Sequence, residues 1–286
     1  MTVCIGAVFE RIGKIFFVTD AQLSADWIST EGVSKWKWLN KPGQWIAMYS
    51  AESASTFPSV VDRIRAELGN EACGVQKVMA ACEHACEAEF EHAVSRDILL
   101  PYAFKSVVDF ISGGLECLGA SLFEQVCGEI RLAHQKFSFQ FQLLVVGFDE
   151  EFKGHIFEVS GLGAAARYDE PGFHAIGSGA PVALATLYPI PYFCSETDET
   201  EIVYRLCAAK FAASSSQGVG PDTSVFCIEQ GGGWSMMLKP DVATLHKIWT
   251  KEGQPRIPKR AIAHIQEAFL PMAKVEARFK KITEAG

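Results

Sequence analysis

The chain predicts an α+β fold, a four-layer αββα sandwich with an enlarged helical segment and a C-terminal helix. Three features carry this expectation: strands come in runs, helices come in groups between those runs, and short turn sequences join successive strands as antiparallel neighbours. Strict βαβ alternation, which would give a parallel sheet, is absent from the pattern.

In chain order, Val3–Glu10 and Lys14–Thr19 are rich in β-branched and aromatic residues and flank Arg11-Ile12-Gly13, so they predict a hairpin. Val33–Leu39 and Gln44–Tyr49 flank Asn40-Lys41-Pro42-Gly43, where proline and glycine suit a tight turn, and predict a second. Four strands thus precede any helix. From Ser55 the period changes: Val60, Val61, Ile64 and Leu68 share one helical stripe that stops at Gly69-Asn70, and a second helix is expected over about 75–95. Residues 98–136 also read as helical, broken at Gly113-Gly114. Strand character returns at Phe137–Phe148 and His155–Val159 around the Asp149–Gly154 turn, and again in a short stretch at Phe173–Ile176. Helices are expected near Pro181–Leu187 and Glu199–Ser214, then strands Thr223–Glu229 and Trp234–Leu238 around Gly231-Gly232-Gly233. Residues 251–286 hold a proline-rich turn, Gln254 to Pro258, and a basic amphipathic helix carrying Ile262, Ile265, Phe269, Met272, Val275 and Phe279. The organisation read from this is one domain over 1–250 with a helical insertion at about 95–136, and a helical extension over 251–286.

Composition narrows the function classes. With 49% hydrophobic and 21% charged residues over 286 positions, the chain can bury a sizeable core, which excludes wholesale disorder and collagen-like architecture. A net charge of −8 argues against a nucleic-acid partner, because that affinity depends on neutralising phosphates with cations. No apolar run reads as a membrane span; the densest, Leu143–Phe148, suits a buried strand, and the amino terminus lacks the pattern of a secretory signal. A cytoplasmic protein is expected. Nine cysteines scattered through helices and strands read as mostly buried free thiols.

The chemistry begins at Thr2. Removal of Met1 would leave a threonine with a free α-amine, so that nucleophile and base share one residue; an unperturbed α-amine titrates at about 7.7 to 8.0, close enough to neutrality to accept a hydroxyl proton. Thr2, Gly6, Gly13, Asp20, Lys35 and the hairpins between them resemble the amino-terminal pattern of proteasome β-subunits, which are N-terminal nucleophile hydrolases. The stretch VTDAQLSADWISTEGVSKWKWL is similar to that family's Asp-containing strand end, turn and Lys-containing strand, and Lys35 stands seven residues after Ile28, as its pattern requires. VVGFDEEFKGHIFEVSGLG, FHAIGSGAPVALATL and VGPDTSVFCIEQGGGWSMMLKPDVATLHKIW follow in family order, the VGPDTSVFCIE stretch being particularly similar to the bacterial ancestral β-subunit branch.

The resemblance implies a threonine-type peptidase acting through a threonyl ester. Thr2 Oγ would attack the carbonyl and its own α-amine would accept the proton. Lys35 would supply positive charge that favours the alkoxide and a neutral amine, and Asp20 would orient that lysine. It further implies an oxyanion donor at the Ala51 amide, a serine near the terminal amine at Ser178, and a substrate pocket lined by Leu23, Val33, Lys37, Tyr49 and Ser53. A cation at Lys37, on the same strand face as Val33 and Lys35, suggests an acidic or polar residue before the scissile bond. The chain departs from the family in carrying Ala51-Glu52 where glycine is usual, and Ser216 where a late aspartate falls. Peptide or unfolded-protein substrates, ring-like self-assembly, an unfolding partner and no cofactor follow as expectations. The alternatives are a β-like structural or binding subunit with a weak or inactive site, and a small-molecule amidase of the same fold, for which Cys4 is the second-ranked nucleophile.

Two weaker patterns read as structure. Gly161-Leu162-Gly163-Ala164-Ala165-Ala166 satisfies a dinucleotide fingerprint, but Pro171-Gly172 leaves no room for the helix it requires, so a β-turn is preferred. Cys82 and Cys86 stand four apart near His84 and His92, yet His84 projects from another helical face, so buried thiols are preferred to a metal site.

Overall fold

The computed structural model describes residues 2–20, 22–25, 28–31, 35–40, 44–51, 56–189 and 199–253. By compactness the chain divides into Met1–His246 and Lys247–Gly286. The described part of the second unit is the end of one helix and a π-helical turn, Trp249–Gly253. The amphipathic helix expected after Pro258 lies outside the described residues.

The first unit is built on two five-stranded antiparallel sheets. One contains β1 (Cys4–Phe9), β2 (Lys14–Asp20), β10 (Phe173–Ile176), β11 (Thr223–Glu229) and β12 (Trp234–Met236), in the order β10-β1-β2-β11-β12. The other contains β5 (Trp36–Trp38), β6 (Trp45–Ala51), β7 (Phe141–Phe148), β8 (Gly154–Ser160) and β9 (Ala166–Arg167), in sequence order. The expected hairpins are present as β1–β2 and β5–β6, but among the described residues six strands, not four, precede the first α-helix. The extra pair is a two-stranded ribbon, β3 (Gln22–Ala25) and β4 (Ile28–Glu31). Four-residue strands of mixed polarity carry no readable period, which is why the sequence pattern passes over them.

Period-two alternation sends every other side chain of each sheet inward. Cys4, Val8, Ile15, Phe17, Phe226 and Ile228 of the first sheet meet Ile46, Met48, Leu144, Val146, Phe148 and Ile156 of the second in one buried layer. Gly6 lets the sheets close: a Cβ there would lie 2.8 Å from Val146 Cγ1. On its outer face the second sheet presents Ala47, Tyr49, Leu143, Val145, Phe157 and Val159 to α1 (Thr56–Leu68) and α2 (Val75–Val94). The predicted stripe Val60, Val61, Ile64 and Leu68 supplies the α1 side of that contact, with Cys82 and Cys86 on α2. The first sheet is covered by α5 (Ala180–Leu187) and α6 (Glu199–Ala213), completing the four layers. Among the described residues, α7 (Lys239–Ile248) follows β12.

The inserted helices differ in detail from expectation. A π-helical turn (Ser95–Leu99) and a 3-10 turn (Leu100–Tyr102) lead to α3 (Val107–Leu118), then α4 (Ala120–Gln140) runs four residues into the expected strand. Gly113-Gly114 lies inside α3, and the break falls at Gly119, whose φ of +75° suits glycine. Gly114 is there for space: a Cβ would come within 2.8 Å of the Phe110 ring. Val94, Leu99, Phe104, Phe110 and Val126 give this region its own small core. The run Val75–Leu118 contains a window apolar enough to cross a membrane by length and composition, but it is broken at Ala103, and α3 has 12 residues where a span needs about 20.

Beyond the apolar layers, one buried polar cluster stands at the β7–β8 turn. Protonated His155 donates from both ring nitrogens, at 2.9 Å to Asp169 Oδ2 and at 3.0 Å to Asp149 Oδ2, and its ring stacks on Trp45. Burial alone would lower the imidazole pKa, but the hydrogen bonds and charges of Asp169 and Asp149 outweigh it and leave it raised. Burial likewise opposes ionisation of Asp169, yet His155, the Ile156 amide and Arg167 pull it down to about 2; Asp149 is also lowered. His155 therefore contributes stability that is full below about pH 6.5 and lost as pH rises through its raised value, while the two carboxylates contribute stability lost as pH falls through their depressed values. The melting-temperature gap between the protein and His155→Gln is expected to be widest at pH 5 to 6 and to shrink toward pH 8, measured by circular dichroism; a constant gap would exclude the charged pairing.

Candidate active site

Four chain segments converge where β1 begins. The antiparallel register pairs Cys4 with Thr19 and sets the Asp20 amide on the Val3 carbonyl at 3.3 Å, so Asp20, the last residue of β2, lies beside Thr2. β10 pairs with the other edge of β1 through Cys4 and Ile176, bringing the turn Gly177-Ser178-Gly179 under Thr2. β11 opens with Thr223 opposite Asp20, which delivers Gly220. Lys35 comes from the second sheet, just ahead of β5, where its carbonyl accepts from the Tyr49 amide at 3.1 Å.

Thr2, Asp20 and Lys35 are all buried, at 3%, 0% and 2% exposure. Lys35 Nζ donates to Thr2 Oγ1 and, at 2.8 Å, to Asp20 Oδ2; Thr2 Oγ1 donates to Asp20 Oδ1. The carboxylate accepts two further bonds, from the Val3 amide at 3.0 Å and the Gly220 amide at 3.3 Å. A buried ion pair returns little net stability, because desolvating two charges costs several kcal/mol. A lysine, a carboxylate and a hydroxyl in mutual contact inside a sheet junction is instead an arrangement that can polarise the hydroxyl.

The backbone of Thr2 is held as firmly as its side chain. Its carbonyl accepts from the Gly179 amide at 3.1 Å and from Ser178 Oγ at 3.4 Å, and Ser178 Oγ also reaches the Gln217 carbonyl at 3.3 Å. Gly177 takes a φ of +91°, and a Cβ on it would sit 2.4 Å from the Thr2 carbonyl oxygen. Its amide is anchored on Gln142 Oε1 at 3.1 Å, and Gln142 in turn holds Glu158, the partner of His174.

Thr2, Asp20, Lys35 and Ser178 therefore share one hydrogen-bonded cluster. Ala51 ends β6 opposite Phe141, two residues beyond the Tyr49 that anchors Lys35. Tyr49 is stacked on Phe57 at 3.9 Å in the helix-side core, and burial pushes its phenol up to about 12. Lys37 is exposed, and Leu23 lies on β3 opposite Thr30. Val33, Ser53 and Glu52 lie outside the described residues. Ser216 stands in the turn after α6, its amide on the Ala213 carbonyl. Lys210, which no sequence pattern singles out, is also wholly buried beside this turn. Cys4 is fully buried, and that burial raises its thiol to about 12.

The other motifs take structural places. Gly161 starts a turn between β8 and β9, its amide on the Phe141 carbonyl, with no helix following directly. Cys82 and Cys86 are buried thiols raised by desolvation, whereas His84 is exposed and contacts Glu67 at 3.2 Å. Among the described residues, no group of three or more His, Cys, Asp or Glu gathers as a metal site.

Comparison with known proteins agrees with the resemblance read from the sequence. Residues 119–189 match the family model described as proteasome subunit, a stretch that runs from α4 through β10 to α5 and excludes Thr2, Asp20 and Lys35. Among solved structures, the chain is similar to Anbu (ancestral beta-subunit) from Yersinia bercovieri, with a TM-score of 0.61 and 11% identity, over 90% of this chain and 100% of that one. No curated protein matches by sequence. The fold is thus that of the proteasome β-subunits.

Two substitutions test this geometry. Asp20→Asn leaves the Lys35 ammonium without its counter-charge and is expected to cost about 3 kcal/mol of stability in urea unfolding. Gly177→Ala forces a Cβ against the Thr2 carbonyl and is expected to cost about 2 kcal/mol; a neutral result for either would mean that the cluster is not packed as described.

Proposed function

We propose that this chain is a threonine-type N-terminal nucleophile hydrolase that cleaves peptide bonds once Met1 has been removed. The observation that carries the reading is the buried contact of Thr2 Oγ1 with both Lys35 Nζ and Asp20 Oδ1 at the start of β1.

Removal of Met1 would free the Thr2 α-amine beside its own hydroxyl. Oγ attacks the peptide carbonyl as the amine, directly or through a water, takes the hydroxyl proton. Lys35 donates a hydrogen bond to Oγ and so favours negative charge on it, while Asp20 holds the ammonium in place. The Ala51 amide is the proposed donor to the tetrahedral oxyanion. The amine then returns its proton to the leaving nitrogen, and water hydrolyses the threonyl ester. Leu23, Val33, Lys37, Tyr49 and Ser53 remain the proposed pocket residues.

Ring-like self-assembly belongs to the same proposal, supported by the likeness to proteasome subunits; peptide or unfolded-protein substrates, cytoplasmic location and an unfolding partner complete it. A structural subunit with a weak site is favoured by two departures from the family pattern, Ala51-Glu52 where glycine is usual and Ser216 in place of the late acid. The amidase reading through Cys4 is disfavoured by a thiol that burial keeps protonated at neutral pH.

Intact mass before and after a peptidyl epoxyketone tests processing and nucleophilicity together. The expected outcome is loss of Met1 and a single adduct on Thr2, none on Thr2→Ala, and labelling slowed about 100-fold or more in Lys35→Ala. Retained Met1 or an unlabelled Thr2 would favour the structural subunit.

A further inference from the structure

Lys210 lies in the last turn of α6 with 0% exposure, between Ala209 and Phe211, which are also buried. An ammonium can be held in such a place only if its three N–H donors are met. They are: Nζ donates to the Gly220 carbonyl at 2.7 Å, the Pro221 carbonyl at 2.9 Å and Ser214 Oγ at 3.1 Å. All three acceptors are uncharged oxygens on the segment that joins α6 to β11.

That segment touches the reaction centre twice. The Gly220 amide donates to Asp20 Oδ2, and the Gln217 carbonyl accepts from Ser178 Oγ, whose other partner is the Thr2 carbonyl. Gly220, whose carbonyl is held by Lys210, is thus the residue whose amide grips Asp20. The groups that act on Lys210 by charge are Asp20 on β2, Asp222 ahead of β11, Lys35 ahead of β5 and Cys207 on its own helix. Burial pushes the amine down to about 8, against the opposing pull of the Asp20 and Asp222 carboxylates. A methionine would fill the same volume without that penalty, and replacements of buried charge by apolar side chains are often neutral or stabilising.

We propose that Lys210 is a positioning residue for Thr2: its ammonium clamps the Gly220 and Pro221 carbonyls so that the Gly220 amide fixes the Asp20 carboxylate against Thr2 and Lys35. This rests on the reading of Thr2 as nucleophile, and it assigns a second buried lysine to the site, acting through Asp20 and not on substrate.

The test compares the mature protein with Lys210→Met and Lys210→Arg by two measurements. The first is epoxyketone labelling resolved into kinact and KI. Lys210→Met is expected to lower kinact about 10-fold or more with KI little changed, and Lys210→Arg to recover part of the loss. The second is amide hydrogen exchange: Gly220 is expected to be protected in the wild type and to lose protection in Lys210→Met, while Val225 in β11 keeps its own. A folded Lys210→Met with wild-type kinact and a protected Gly220 overturns the proposal, as does equal loss of protection at Gly220 and Val225, which would mark a general stabiliser. If Lys210→Met does not fold, Gly220 exchange in the wild type and in Lys210→Arg decides, and an unprotected wild-type Gly220 overturns the clamp. A wild type that is never labelled overturns the nucleophile reading and the kinetic role with it, and the exchange data then report on the clamp alone.

Discussion

A carboxylate with no access to water must be surrounded by donors, and Asp20 imposes that demand on the whole end of the first sheet. Its two oxygens take the Thr2 hydroxyl, the Val3 amide, the Lys35 ammonium and the Gly220 amide. Those four donors come from the start of β1, the residue ahead of β5 and the approach to β11. No local sequence interaction brings them together; the β1–β2 and β2–β11 registers do, with Lys35 reaching across from the other sheet. Satisfying one buried anion thus assembles a polarised hydroxyl.

The rest of the architecture keeps that junction dry and still. The inter-sheet layer ends at Cys4 and Ile176, immediately beneath the cluster, and the turn after β10 lies so close to Thr2 that only glycine fits at 177. The helices between α2 and β7 bring a small core of their own, centred on Leu99, Phe110 and Val126.

What was legible in the sequence follows from how local each signal is. The main hairpins and α1 and α2 declare themselves through two-residue and 3.6-residue periods, and their boundaries agree to within a few residues. β3 and β4 are too short for any period. Gly113-Gly114 looks like a break because glycine is permissive, yet Gly114 serves ring packing inside α3 and the break needs the positive φ at Gly119. At the site, Thr2, Asp20 and Lys35 could be named together because their spacing along two hairpins resembles a known pattern. Lys210 could not. In an alanine-rich stretch a lone lysine reads as solvated, and only the tertiary placement of the Gly220 and Pro221 carbonyls shows that it is buried. The His155 cluster was hidden for the same reason, since Asp149 and Asp169 approach it from separate turns.

Thr2 and Cys4, the two candidate nucleophiles, differ in what their places on the strand allow. Both lie on β1 or at its entry, two residues apart, and both are close to Lys35 and Asp20. Cys4 is already inside the ladder, paired with Thr19 and Ile176, with its thiol donating to the Tyr49 carbonyl between the sheets. There burial dominates over the nearby ammonium, and the thiol rises to about 12. Thr2 precedes the first ladder pair, so its hydroxyl receives the Lys35 hydrogen bond directly while its carbonyl is fixed by Gly179. A strand end offers what a strand interior cannot: side-chain contact with the buried charges, together with a backbone nitrogen that no ladder partner requires. A hydroxyl at the strand end is therefore polarised directly by Lys35, whereas the thiol two residues further in is sealed by the ladder.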